Sequence, residues 1–199
     1  MNMKISIIGA SDMFARGIAR WAVGAGLDVT IVGPSRARAE AFVEQLGRGK
    51  AAGPRDRLQD DVVFFAMPYV CVLDARDSYG SQLDGKIVVD VTIPFDVNTL
   101  QPICPAAGSS AQEITALRPA ARVVKVFHPA FASAVVGTGG TDQTGEVFLA
   151  GDDVEAKRIV AKLFEDSGLS AVDVGPLRHA HELEALGHLA LATSPDLPR

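Results

Sequence analysis

The stretch Lys4-Ile5-Ser6-Ile7-Ile8-Gly9-Ala10-Ser11-Asp12-Met13-Phe14-Ala15-Arg16-Gly17 decides the fold. A β-branched run passes through a glycine into a segment where Phe14, Ile18, Trp21 and Ala22 fall near helical spacing. Strand, tight turn and helix in that order open a βαβ unit. The same alternation continues down the chain. Strands are predicted over 28–32, 62–66, 87–91, 123–127, 146–150 and 171–174. Helices are predicted over 12–24, 35–46, from near Tyr69, and over 109–117, 153–166 and 178–192. Ser35 is placed to cap the second helix, and Ser109 or Ser110 the fourth, with Glu113 three residues after Ser110. Strands rich in Val and Ile on both faces belong in a parallel sheet covered by helices. The expected class is therefore α/β, a doubly wound, mostly parallel Rossmann-type sheet with a C-terminal helix. Residues 1–193 are expected to form one domain, with 194–199 a tail and 137–145 a mobile glycine- and threonine-rich loop.

Composition narrows the function classes. The 199 residues are 48% hydrophobic and 22% charged, which suits a globular chain with a large core. A net charge of −5 disfavours a nucleic-acid partner. No run approaches the roughly 18 to 20 apolar residues of a membrane span, and the N-terminus does not read as a signal peptide. Cys71 and Cys104 lie far apart and show no metal-ligand spacing; reduced, partly buried thiols are expected. These features point to a cytoplasmic protein acting on a small molecule, with no bound metal.

In such a fold the ligand lies at the carboxyl ends of the strands, its phosphates on the N-terminus of the first helix. Gly9 and Gly17 remain of the usual glycine pattern. Ser11 and Phe14, or Asp12 and Ala15, stand where the other glycines would be. Asp12 either caps the helix or faces a bound pyrophosphate, where two unit charges about 4 Å apart repel by roughly 1 to 4 kcal/mol. Phe14 is bulky enough to fill part of the phosphate space. At the end of the second strand, Val32-Gly33-Pro34-Ser35-Arg36-Ala37-Arg38 carries no acid for ribose hydroxyls. Ser35, Arg36 and Arg38 suit a 2′-phosphate instead, which favours NADP over NAD. His128, at the end of the fifth predicted strand, is an acid/base candidate with Tyr69 or with the carboxylates of Asp96 or Glu113. His179, His181 and His188 in the last helix do not form HExxH, because position 185 is Ala.

Six segments carry a resemblance: 61–68 (DVVFFAMP), 85–94 (GKIVVDVTIP), 109–113 (SSAQE), 121–127 (ARVVKVF), 148–153 (FLAGDD) and 174–186 (VGPLRHAHELEAL). On these the chain resembles the small NADP oxidoreductases dependent on the deazaflavin coenzyme F420. The resemblance implies that Met67 and Pro68, in the turn after Ala66, border the adenosine and nicotinamide ribose. It implies that Thr92 and Pro94, and the Phe127-His128 turn, border the nicotinamide. Hydride transfer in that family needs no obligatory acid or base, so catalysis is mainly positioning. A deazaflavin, a flavin or a small organic molecule would exchange the hydride with NADP(H), and a homodimer is implied. The chain departs from the family at the glycine turn, at Ile93 and at His128; the last two positions usually hold Asn. A non-redox isomerase or cyclase that uses the vacated cleft and His128 is the alternative.

Overall fold

The computed structural model describes residues 3–9, 13–96, 98–99, 101–129 and 145–192, with the side chains of Met13 and Phe14 left out. Strand β1 (Lys4–Ile8) leads into α1 (Met13–Gly24), followed by β2 (Asp28–Val32), α2 (Arg36–Leu46) and β3 (Lys50–Ala52). Then come β4 (Val62–Phe65), α3 (Tyr69–Tyr79), β5 (Ile87–Asp90), α4 (Ser110–Leu117) and β6 (Arg122–Phe127). The chain continues with β7 (Glu146–Gly151), α5 (Val154–Glu165), β8 (Ser170–Asp173) and α6 (Ala180–Ala192). One eight-stranded sheet results, in the order β3-β2-β1-β4-β5-β6-β7-β8. The pairs from β3 through β6 are parallel; β7 runs antiparallel to β6 and parallel to β8. The doubly wound, mostly parallel expectation holds.

Strand β3 was not expected. It is three residues long at the sheet edge, paired through Thr30↔Lys50, Ile31↔Ala51 and Val32↔Ala52. A Lys-Ala-Ala segment has no apolar alternation to mark it; its place comes from β2. Two smaller corrections concern caps and thiols. Ser109, not Ser110, caps α4, its hydroxyl accepting from the Gln112 N–H at 3.1 Å. Both thiols are exposed rather than partly buried, Cys71 in the first turn of α3 and Cys104 in the extended run before α4. Ser35 caps α2 as expected, accepting from the Arg38 N–H at 3.3 Å.

The sheet divides the core. Val62 and Phe64 face a cluster with α1, α2 and α5, while Val63 and Phe65 face a second with α3 and α4. Period-two alternation in β4 thus feeds both layers. Helix α6 joins them, with Ala180 in the second cluster and Leu183 and Leu191 in the first. Trp21 of α1 stacks on Phe164 of α5 at 4.3 Å and donates its indole N–H to Ser167 Oγ at 2.8 Å. Among the described residues no helix is long and apolar enough to cross a membrane.

Asp153 ties the second half together. It caps α5 through the Ala156 N–H at 2.9 Å and accepts two hydrogen bonds from Arg122 of β6, at 2.6 and 3.0 Å. The Arg122 hydrogen bond, helped by the cap, lowers its pKa from 3.8 to about 2. A depressed carboxyl pKa contributes stability above the unfolded-state value, lost as the folded group protonates. Urea midpoints should therefore fall as the pH drops from 3.8 to about 2, and Asp153→Asn should make that fall shallower. An unchanged slope in the variant would show that this pair does not carry the dependence.

Candidate functional site at the strand ends

The carboxyl ends of β1, β2, β4, β5 and β6 open on one edge of the sheet, and the chain there is closely fitted. Gly9 has φ +133°, and a Cβ on it would lie 2.0 Å from the Ala66 carbonyl oxygen. Its N–H donates to Val32 O at 3.0 Å, and the Ala66 N–H donates to Ile8 O at 3.0 Å. The turn leaving β1 is thus pressed against the turn leaving β4, and no side chain fits between them. That is the close backbone approach a phosphate-binding turn uses glycine for. Ser11 and Asp12, and the side chain of Phe14, lie outside the described residues, as do positions 130–144 and 193–199.

At the end of β2, Arg36 and Arg38 occupy the first turn of α2, with no acid there. Cations at a helix N-terminus oppose the helix dipole. Their placement is locally unfavourable and becomes favourable beside an anion. Arg36 Nη2 donates to Asp56 Oδ2 at 2.6 Å, and Nη1 donates to Ala51 O at 3.3 Å. Arg38 is exposed. Asp56 comes from the turn after β3, a carboxylate that sequence reading did not place at this corner.

The turn after β5, by contrast, is built around buried charge. Lys125 of β6 is 1% exposed; its Nζ donates to Asp90 Oδ2 at 3.0 Å and to Thr92 O at 2.5 Å. Glu184 of α6 completes the set, its Oε1 2.9 Å from the same Nζ and accepting from the Ser110 N–H at 3.0 Å. Thr92 Oγ1 donates to Asp90 Oδ1 at 2.5 Å and lies 2.9 Å from Ser110 Oγ. Its hydroxyl is therefore committed to the interior. Burial alone would discharge Lys125, but the charges of Asp90 and Glu184 outweigh it and raise the lysine pKa. Burial also raises the Glu184 pKa, against the pull of Lys125.

Helix α6 grips this turn at two further points. His188 Nε2 donates to Pro94 O at 2.5 Å. Gly187 faces Ile93 so closely that a Cβ would sit 2.7 Å from Ile93 Cγ1. Ile93 is 4% exposed. The Ile93 side chain thus packs under α6. Sequence reading gave Asp90, Lys125 and Glu184 no role. The available signal was a lysine inside Arg122-Val123-Val124-Lys125-Val126-Phe127, a strand with no solvent face.

Two of the acid/base candidates, Tyr69 and Glu113, pair with each other. Tyr69 OH donates to Glu113 Oε2 at 2.7 Å, and Glu113 Oε1 accepts from the Ala106 N–H at 2.7 Å. Burial, followed by the Glu113 hydrogen bond, pushes the Tyr69 pKa well above its ordinary value, so the phenol stays protonated. Asp96 serves its own turn instead, accepting from the N–H groups of Asn98 and Thr99. His128 is 4% exposed, beside Gly145, and burial lowers its pKa. Burial thus favours the neutral imidazole. Met67 is buried, and Pro68 opens α3. Among the described residues no group of three or more His, Cys, Asp or Glu is placed to hold a metal ion.

Residues 4–94 match the family described as NADP oxidoreductase, coenzyme F420-dependent. The chain is 31% identical over 183 residues to the metalloreductase STEAP3 of Rattus norvegicus, covering 92% of this chain and 36% of that protein. It is 27% identical over 138 residues to the F420-dependent NADP reductase of Methanocaldococcus jannaschii, covering 67% of this chain and 61% of that one. It thus spans less than two thirds of either relative. A hypothetical protein of Sinorhizobium meliloti shares the fold with a TM-score of 0.72 at 27% identity, covering 89% of this chain and 86% of that one.

The buried network makes a measurable demand. Lys125→Met leaves two buried carboxylates without their cation and should lower the unfolding free energy by about 3–5 kcal/mol in urea denaturation. Glu184→Gln keeps the Lys125–Asp90 pair and an acceptor for Ser110, and should cost much less. Equal losses would contradict this division of roles.

Proposed function

From the match of residues 4–94 to the F420-dependent NADP oxidoreductase family, we propose that the chain is an NADPH-dependent oxidoreductase. A deazaflavin, a flavin or another small organic molecule is its hydride acceptor. The observation that carries this reading is the strand-end cradle. Gly9, too close to Ala66 for any side chain, faces the same edge as an α2 first turn holding two arginines. Those residues suit a phosphorylated dinucleotide. Gly9 provides backbone approach, Ser35 fixes the start of α2, and Arg36 and Arg38 supply charge for a 2′-phosphate. Bound there, NADPH supplies a hydride.

The chain's own part is orientation. Lys125, Asp90 and Glu184 set the path of the main chain at Thr92, and His188 and Gly187 fix Pro94 and Ile93. A turn held at three points does not drift when a ring lies against it, and positioning of two reacting rings is worth a large share of the barrier. His128 and the Tyr69 hydroxyl, paired with Glu113, stand as candidates for hydrogen bonds to the acceptor. Neither needs to lose a proton for hydride transfer.

Titration with NADPH tests the reading. Cofactor at about 100 times its dissociation constant should stabilise the protein by about 2.7 kcal/mol in thermal unfolding followed by circular dichroism. NADPH consumption should then follow on adding a deazaflavin or flavin. No stabilisation at millimolar NADPH would overturn the redox reading and leave the cofactor-independent isomerase or cyclase built on His128.

A further inference from the structure

The corner at the end of β2 contains an acid after all. Asp56 is brought there by the β2–β3 pairing, which sets the turn after Ala52 beside the start of α2. Its carboxylate is anchored by that turn. Oδ2 accepts from the Gly53 N–H at 2.7 Å, and the Asp56 N–H donates to Gly53 O at 3.1 Å. It therefore does not need Arg36 to hold it in place. Arg36, whose side chain is 57% exposed against 40% for Asp56, donates to it at 2.6 Å.

We propose that Asp56 sets the dinucleotide choice by competing with a 2′-phosphate for Arg36. This rests on the reading above that a dinucleotide binds at the strand ends. With Asp56 ionised, one of the two arginines in the first turn of α2 is already neutralised. A 2′-phosphate must displace that carboxylate and then sit beside its negative charge. NAD(H), with a hydroxyl at the same atom, meets neither obstacle. A carboxylate at this corner is also the group that accepts from ribose hydroxyls in NAD-preferring domains, here delivered by the neighbouring turn rather than by β2 itself. The site thus takes both dinucleotides with a preference for NADP(H) that is blunted. Because the ion pair is half in solvent, it opens readily.

Calorimetric titration with NADP+ and with NAD+, which differ only by that phosphate, tests the proposal without turnover. In Asp56→Asn, NADP+ should bind roughly three- to tenfold tighter, NAD+ should bind no tighter, and the salt dependence of NADP+ binding should steepen as Arg36 is freed. Weaker NADP+ binding in the variant would mean that Asp56 aligns Arg36 for the phosphate, and would overturn the proposal. So would equal changes for both dinucleotides, which indicate a local structural effect. Both of those results leave the oxidoreductase reading standing. Failure of either dinucleotide to bind the unaltered protein removes the reading and this proposal together. Asp56→Ala, measured beside the Asn variant and checked for an unchanged urea midpoint, separates loss of charge from distortion of the 53–56 turn.

Discussion

One buried ammonium holds the working edge of this molecule together. Lys125 Nζ has three donors, and they go to Asp90, to the Thr92 carbonyl and to Glu184. Those partners belong to β5, to the turn after it and to α6. Glu184 in turn accepts from the N-terminus of α4. Four elements far apart in sequence therefore meet on one charge. Two carboxylates against one lysine is not a neutral set, and Glu184 carries the imbalance, its pKa raised by burial. Its seat at the α4 N-terminus tempers that, because the helix dipole favours negative charge there. Hydrophobic contacts alone would let α6 slide along the sheet; a buried ion set with fixed hydrogen-bond directions gives it one register.

The scaffold was legible because its signals are local. Ile5, Ile7 and Ile8, Val62 to Phe65 and Ile87 to Val89 are buried on both faces of the sheet, and the sequence wears that as unbroken apolar runs. Ser35 announced α2 by its own chemistry. Strand β3 had no such mark: Lys50, Ala51 and Ala52 become a strand because β2 offers them an edge. At the site the division is sharper. Gly9 was visible because only glycine tolerates its conformation. The partners of Arg36 and Lys125 were not, since Asp56 lies 20 residues from Arg36 and Glu184 lies far along the chain in another element. Charge complementarity across the fold leaves no periodicity to find. Thr92 was noticed in the sequence, and its hydroxyl points to Asp90 and Ser110, partners that spacing did not reveal.

Ile93 and His128 each fill a closely fitted space. Ile93 is packed beneath Gly187, and His128 is buried beside Gly145. In each case a glycine stands opposite the larger residue. The cleft side of the turn is therefore shaped as much by α6 and the start of β7 as by the strands that carry these residues. Gly187 leaves no room for a methyl group against Ile93, so a change at either position constrains the other.

The pairing of α1 with α5 has an optical side. Trp21 is the chain's single tryptophan. It is 3% exposed, lies on the ring of Phe164 and gives its N–H to Ser167. Helix α1 follows β1 in the parallel part of the sheet, while α5 belongs to its antiparallel end. All intrinsic indole emission from this protein therefore originates at the seam between its two halves. The molecule carries its own fluorescent strain gauge, placed where the parallel strands and the reversed strands β7 and β8 share a core.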